Sequence, residues 1–376
     1  MRVLMISEPL AWAGAERMEV LYCDLISQIA KAEVVIACPR PWVARFKSEL
    51  GAKARVIELR DYNPASGLSW GRLRAVAQAI EDIKPDIVHT NEARMRVAVQ
   101  LVRRLPPFRS GTFKHIHMQH IREVWRKSYL PERILTGSGP DLWIAVSHSV
   151  REFLINCRRV KPTSILFVPN YLALVHQYSP IESHDPGLRD SLGVSHDEVL
   201  IVAAGRLERQ KGFDILIQAA HQLTSRCNAF RIVIAGEGSE RERLQGLIEE
   251  YGLVERVRLL GWRNDLQELY SVADVFVLSS RWEGMPLTLI EALMSGPALV
   301  ATKVDGVVDV MAGNHEVCGL IVPPDDPKAL SDALFTVVAD SKCRHELRKR
   351  VRQRATEMRH ESNALPRLLD QAYQMS

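Results

Sequence analysis

Short apolar runs alternate with longer amphipathic stretches along most of the chain. The runs at 3–6, 34–37, 55–57, 87–88, 116–118, 142–146 and 165–168 are rich in Val, Ile and Leu. Such runs suit strands of a parallel sheet buried on both faces. The segments between them, such as 16–29 and 73–83, carry apolar residues at helical spacing. Residues 176–198 break the pattern with His, Pro, Ser, Asp and Gly, the composition of a hinge. The alternation then restarts at 199–204, 231–235, 257–260, 275–278, 299–301 and 320–322, and 340–375 reads as charged helix. The pattern predicts an α/β protein of two doubly wound, Rossmann-like domains, 1–175 and 199–360, facing across a cleft, with a final helix over 361–376. Ligands of such sheets sit beyond the carboxyl ends of the strands.

Composition narrows the class. The 376 residues are 47% hydrophobic and 25% charged, an ordinary globular balance. No apolar run approaches the roughly 18 residues that span a bilayer, and residues 1–7 are too short for a signal-peptide core and read as a first buried strand. Cys23, Cys38, Cys157, Cys227, Cys318 and Cys343 are scattered without a Cys-x-x-Cys, as reduced cytoplasmic thiols are. Charge is uneven: residues 1–175 hold 26 Lys and Arg against 16 Asp and Glu, a net of +10, and the remainder carries −6. A basic first half suggests an anionic partner, with a lipid surface and nucleic acid as candidates, or else simply solvated helix faces.

Two stretches carry the chemistry. Gly205-Arg206-Leu-Glu-Arg-Gln-Lys211-Gly212 follows an apolar run and sets two cations on a loop bounded by glycines. A planar guanidinium and a compact ammonium suit a diphosphate; on a loop, their loss should touch folding little. Glu283-Gly284-Met285-Pro286-Leu287-Thr-Leu-Ile-Glu291 spaces two carboxylates across a turn that opens a helix, with Pro286 suited to its first turn. A helix start adds N–H donors and a partial positive charge, and the carboxylates can accept from sugar or ribose hydroxyls. Glu291 sits among Leu289, Ile290, Ala292 and Leu293, which predicts burial and a partner. Each stretch alone could be a solvated basic loop or an ordinary helix glutamate; together they describe a pocket for a nucleotide-activated sugar.

In this order and on these elements, the two motifs resemble the signature of the family 4 retaining glycosyltransferases, of the two-domain GT-B type. The resemblance covers nearly the whole chain, more clearly in its second half. It implies that Arg206 and Lys211 neutralise the departing diphosphate, that Glu283 touches the transferred sugar and that Glu291 holds the ribose. It implies that His120, followed by Ile121-Arg-Glu-Val-Trp125, hydrogen-bonds the sugar and stabilises an oxocarbenium-like transition state. Gly14 in Trp12-Ala-Gly-Ala, Gly236 and Gly238 correspond to glycine turns near the donor, and Trp262-Arg263 after Gly261 to the frame of the nucleobase. Asn170 matches the family's residue at the domain exit, and 361–374 the helix that crosses back onto the first domain. The chain departs from the pattern at Ala13, at Tyr171, and at Asp305-Gly306-Val-Val-Asp309. His115 and His117 share a strand face with His120 nearby, but no further ligand pattern completes a metal site. No Asp-x-Asp occurs, so no metal and no other cofactor is expected.

The implied function is retaining hexosyl transfer from a UDP- or GDP-linked sugar to a glycan or lipid-linked acceptor, in cell-surface polysaccharide or lipopolysaccharide biosynthesis. A nucleotide-sugar epimerase of the same fold, or a non-catalytic nucleotide-sugar-binding protein, are the alternatives. A nicotinamide dehydrogenase is disfavoured, since no strand leads into Gly-x-Gly-x-x-Gly. Nucleic acid is not an expected partner. The expected compartment is the cytoplasm, with peripheral attachment to the inner face of the cytoplasmic membrane left open. A membrane face would draw on Arg94, Arg96, Arg103, Arg104, Arg109, Lys114, Arg122, Arg126, Lys127 and Arg133, interleaved with Leu101, Leu105, Phe108, Trp125 and Tyr129.

Overall fold

The computed structural model describes residues 1–9, 12, 14–60, 68–108, 112–123, 130–137, 139–178, 187–313 and 316–374. The chain divides into two compact units, Met1–Ala173 with Asn363–Ser376, and Leu174–Ser362.

The first unit is built on seven parallel strands: β1 (Arg2–Ile6), β2 (Glu33–Cys38), β3 (Arg55–Glu58), β4 (Ile87–Thr90), β5 (Lys114–Gln119), β6 (Leu142–Ala145) and β7 (Ile165–Phe167), in the order β3-β2-β1-β4-β5-β6-β7. The second has six: β8 (Val199–Ala204), β9 (Phe230–Ala235), β10 (Val257–Gly261), β11 (Val275–Leu278), β12 (Ala298–Thr302) and β13 (Leu320–Val322), in the order β10-β9-β8-β11-β12-β13. Helices between the strands bury both faces of each sheet, which is why β8 and β11 are apolar end to end. Strand order reverses between β1 and β4 and again between β8 and β11. Those reversal points are where doubly wound sheets open a crevice.

The predicted hinge is not a free linker. Residues 179–186 lie outside the described residues, but 187–198 belong to the second unit. Leu188, Leu192 and Val194 are buried, and Arg189 pairs with Asp274 at 2.9 Å. The division falls at Ala173/Leu174, within helix Asn170–Gln177. The charged stretch at 340–375 forms two helices: Ser341–Ser362 stays with the second unit, and Leu365–Tyr373, within the final helix expected over 361–376, belongs to the first and packs on its helix Gly14–Ile29.

That last helix is anchored in the first unit's core. Leu365, Leu369, Ala372 and Tyr373 are buried, the Tyr373 hydroxyl lies 2.5 Å from Nδ1 of His89 on β4, and Lys114 Nζ donates to the carbonyls of Ala372 and Gln374 at 3.0 and 2.9 Å. His89 is fully buried, and its Nε2 has no partner among the described residues. Tyr373→Ala therefore opens a cavity and strips the ring of its bond. We expect the first unit to lose about 3–5 kcal/mol, read as an earlier urea transition. An unchanged transition would mean that the helix only rests on the surface.

β5 carries the histidines. His115 and His117 are fully buried, and Thr90 Oγ1 bridges them at 2.9 Å from His115 Nε2 and 3.0 Å from His117 Nδ1. Gln100 and Arg96 take their other nitrogens at 2.5 and 3.0 Å. Burial, first of all, drives both rings well below the usual histidine range, so they are neutral core residues. No group of His, Cys, Asp and Glu among the described residues is arranged to hold a metal.

Several members of the anticipated basic face are spent inside the first unit. Arg96 is buried, Leu101 belongs to the core, and Lys114 caps the last helix. Arg109, Trp125, Arg126, Lys127 and Tyr129 lie outside the described residues, as does the side chain of Arg133. Exposed instead are Leu68 and Trp70, with Trp70 against Phe108 at 5.3 Å, and Ile134 and Leu135. No described helix is long and apolar enough to cross a membrane.

Candidate active site

The sequence-predicted residues fall into two groups, one in each unit, with Gly14 after β1 and Arg206 and Glu283 after β8 and β11 at the strand-order reversals, His120 after β5, and Trp262 after edge strand β10. In the second unit β8 leads directly into the cation loop. Gly205 (φ +154°) leaves room for the stem of Lys211: a Cβ there would lie 3.3 Å from Cδ and Cε of that side chain. Residues Arg209–Lys211 form a 3₁₀ turn closed by Gly212 at φ +62°, where a Cβ would fall 2.1 Å from the Ser279 carbonyl oxygen. Only glycine lets this loop sit against the strand end of β11. Gly236 and Gly238 do the same on the other side, since Cβ atoms there would meet the carbonyl oxygens of Gly205 and Leu207 at 1.9 and 2.4 Å.

Lys211 Nζ donates to Glu283 Oε1 at 2.6 Å, and Ser280 Oγ donates to the same oxygen at 2.7 Å. Glu283 is buried, 6% exposed, so its charge depends on this pair. Arg206 is half-buried, and among the described residues its guanidinium has neither an ion-pair nor a hydrogen-bond partner. The site thus holds one cation committed to a carboxylate and one available to an anion.

A clamp that the motif does not reveal fixes this loop. Arg281 donates to Asp214 Oδ1 and Oδ2 at 2.9 and 3.0 Å and to the Arg209 carbonyl at 2.7 Å, while Ser279 Oγ donates to the Lys211 carbonyl at 2.9 Å. Burial would raise the Asp214 carboxyl, but Arg281 and Arg243 hold it below the usual carboxylate range.

Beyond Glu283 the chain turns through Gly284, Met285 and Pro286 into helix Leu287–Ser295. Gly306 (φ +76°) seats the turn; a Cβ there would meet the Gly284 carbonyl oxygen at 2.5 Å and Met285 Cα at 2.8 Å. The loop that departs from the family pattern therefore keeps the glycine that the turn requires. First-turn N–H groups of a helix lack intrahelical acceptors, and Thr288 Oγ1 is buried without a partner among the described residues. Glu291 lies three residues on, on the same face as Thr288. The residue is half-buried rather than buried, with its Oε2 atom inside the fold. Trp262 is 61% exposed and donates from Nε1 to Asn264 at 2.9 Å, and the Arg263 guanidinium is held by Asp265.

In the first unit Gly14 opens helix Gly14–Ile29, and Trp12 packs on Phe46 with ring centroids at 5.1 Å; Ala13 lies outside the described residues. His120 follows β5 directly. Its Nε2 lies 3.2 Å from Asn91 Oδ1, and Asn91 Nδ2 donates to Glu19 Oε1 at 2.9 Å. With the Asn91 amide oriented by Glu19, His120 carries its proton on Nε2 and offers Nδ1 as an acceptor. Burial lowers His120 to about 4, so the ring is neutral near pH 7. Asn170 is buried with Oδ1 unpartnered among the described residues.

Asn91 and Glu19, which carry no sequence motif, hold His120, and Glu92 joins Glu19 on the buried Ser7 hydroxyl. Burial is the first cause that raises Glu92 to about 7; Glu19 is also held high by burial and then by Glu92. A carboxyl raised in the fold contributes stability below its ordinary value of 4.5, and loses it as pH climbs through 7. Glu92→Gln stays neutral. It is expected to raise the first unit's unfolding temperature at pH 8 and leave it unchanged at pH 4.5. Equal shifts at both pH values would show that Glu92 does not titrate in this window.

Comparison with known proteins bears on the whole arrangement. The family model described as glycosyl transferases group 1 matches residues 186–358, and that described as glycosyltransferase family 4 matches residues 18–173. The chain is 27% identical over 268 residues to the UDP-Gal:α-D-GlcNAc-diphosphoundecaprenol α-1,3-galactosyltransferase of Escherichia coli, covering 68% of this chain and 67% of that one. It is 29% identical over 157 residues to the lipopolysaccharide core biosynthesis mannosyltransferase LpsB of Rhizobium meliloti, covering 40% and 45%. Matches to curated relatives span 39% to 67% of those proteins' lengths. The crystal structure of Anabaena HepE in complex with UDP superposes with a TM-score of 0.76 at 18% identity, over 99% of this chain and 98% of that one, and so shares the GT-B fold of two parallel-sheet α/β domains. The two family models between them take in both units, with the cation loop and the Glu283–Glu291 helix inside the matched region, and the chain belongs to the family 4 glycosyltransferases.

Proposed function

We propose that the protein transfers a hexosyl group, with retention of anomeric configuration, from a UDP- or GDP-linked sugar to a glycan or lipid-linked acceptor of a cell-surface polysaccharide or lipopolysaccharide. The observation that carries this reading is the half-buried Arg206, without a side-chain partner among the described residues, beside the Lys211–Glu283 pair at the β8/β11 reversal. Arg206, Lys211 and the first-turn N–H groups of helix Leu287–Ser295 supply positive potential for a diphosphate. Glu291 accepts from the ribose hydroxyls and Glu283 from the sugar. The acceptor oxygen bonds to the anomeric carbon on the face from which the diphosphate departs, and its proton passes to a departing phosphoryl oxygen. No side-chain base is needed, and charge stabilisation with positioning does the work. His120, neutral, holds the sugar.

The relatives' names support the substrate classes: one acts with UDP-galactose on a diphosphoundecaprenol-linked sugar, another in lipopolysaccharide core synthesis, and the Anabaena structure contains UDP. We also propose that the protein is peripheral at the cytoplasmic membrane, through the exposed Leu68, Trp70, Ile134 and Leu135.

No metal is required in this reading, because side chains and a helix start hold the diphosphate. The test combines a thermal-shift screen of UDP-, GDP- and ADP-sugars with product analysis in excess EDTA. One nucleotide class should stabilise the second unit, and product with the donor's own anomeric configuration should form in EDTA. Epimerised donor without transfer would overturn the transferase reading. Loss of activity in EDTA, restored by Mg²⁺ or Mn²⁺, would overturn metal independence.

A further inference from the structure

The first unit holds a polar cavity, of about 510 Å³, that the donor reading does not use. That volume is within the rough 300–1,000 Å³ span of ligand pockets. It lies on the β6–β7 half of the sheet beside helix Leu130–Thr136, rimmed by 137, 139–141 and 158–161.

Its wall is built from buried charge. Arg96 and Arg158 are 1% and 6% exposed, and their guanidiniums lie 5.2 and 5.1 Å from the ring centroid of buried Trp143. Glu123 bridges the two arginines at 3.4 and 3.1 Å, and Glu132 takes Arg96 at 3.1 Å and Arg158 more closely still. Within these four the charges balance, as buried charges must. Arg103 and Asp141 form a further neutral pair at 3.0 Å. Arg96, which lines the cavity, keeps a buried Nε–H with no acceptor among the described residues. An unmet buried donor of this kind favours a ligand or water that can accept from it.

The mouth is different. Arg159 and Lys161 are exposed, and no carboxylate among the described residues pairs with either. Arg104 joins them: its guanidinium crosses Gly137, where a Cβ would lie 1.7 Å from Nη2. Beside Thr136 and Gly137, on the same helix, Ile134 and Leu135 are 73% and 58% exposed. Uncompensated cations thus rim the cavity, and the helix that lines it through Glu132 and Thr136 carries Ile134 and Leu135 as an apolar ledge outside the lining.

We propose that this cavity binds a phosphate ester, with Arg159 and Lys161 on the phosphoryl oxygens. A guanidinium and an ammonium at one cavity mouth suit a phosphoryl group, and exposed cations in a unit that also exposes aliphatic residues suit an anionic leaflet. The phosphate could come from an anionic membrane lipid or from a soluble phosphate compound. The site is independent of the donor site, and stands or falls without it.

The full-length protein is tested by flotation with phosphatidylcholine vesicles, with and without phosphatidylglycerol, and by calorimetric titration with inorganic phosphate and with pyrophosphate. Arg159→Gln/Lys161→Gln removes two exposed charges and spares the buried wall. Ile134→Ser/Leu135→Ser removes the ledge. Arg55→Ala, on β3 at the opposite sheet edge, is the control. Binding only to phosphatidylglycerol vesicles, weakened roughly tenfold or more by either double variant and untouched by Arg55→Ala, identifies a lipid headgroup. Saturable pyrophosphate or phosphate binding, lost in Arg159→Gln/Lys161→Gln and kept in Ile134→Ser/Leu135→Ser, identifies a soluble ligand. No binding in either arm, or an equal loss with Arg55→Ala, overturns the site.

Discussion

Arg206→Ala should lower turnover by on the order of 10²-fold or more while the second unit unfolds as in the wild type. The guanidinium is half-buried and has no partner among the described residues, so its removal orphans nothing and opens no paired charge. What it removes is positive potential where negative charge grows as the sugar–phosphate bond breaks, and that is a transition-state contribution. Lys211→Ala should reach a comparable loss by a different route. Its ammonium is 2.6 Å from Glu283 Oε1, and Glu283 is 6% exposed. Truncating it leaves a buried carboxylate with only the Ser280 hydroxyl on that oxygen. The loop position had suggested that neither change would disturb folding. With the buried pair in view, Lys211→Ala is expected to cost about 3 kcal/mol as well. Steady-state kinetics beside urea unfolding of both variants separates the two. Arg206→Ala with wild-type turnover would remove the diphosphate assignment, and Lys211→Ala with wild-type stability would show that the pair carries no weight in the fold.

The strands were legible because a parallel strand covered on both faces has to be apolar throughout, and runs such as those at 3–6 and 199–204 have no other good home in a soluble domain. The reversal points then placed Gly205, Arg206 and Glu283 with little further input. Tertiary pairing was not legible. Arg281 and Asp214 are 67 residues apart and look like ordinary surface charges, yet they clamp the cation loop. Asn91 and Glu19 belong to no motif, but they fix the proton of His120. Charge counting misjudged Arg96 and Lys114, because a basic residue in sequence says nothing of whether it meets water, a buried carboxylate or a helix carbonyl. The hinge was misjudged for a related reason. Three apolar anchors, Leu188, Leu192 and Val194, are enough to dock a segment whose remaining residues read as loop.

Gly212→Ala separates the geometry of the site from its charge. The residue sits at φ +62°, in the left-handed region, and an added Cβ would lie 2.1 Å from the Ser279 carbonyl oxygen. The obstacle is backbone, continuous with β11, so it cannot swing aside as a side-chain tip would. The turn Arg209–Lys211 has to move instead. That motion pulls Lys211 from Glu283 and strains the bonds that Arg281 and Ser279 make to the carbonyls of Arg209 and Lys211. Every charge in the site is retained. We expect a loss of turnover approaching that of Lys211→Ala, together with a destabilisation of more than about 1 kcal/mol from the left-handed conformation and the overlap. Donor affinity should fall less than turnover, since the ribose contact assigned to Glu291 lies on helix Leu287–Ser295, away from the displaced turn. Turnover and stability both at wild-type levels would mean that the loop can relax around a methyl group, and that holding Lys211 within 2.6 Å of Glu283 is not what the two glycines are for.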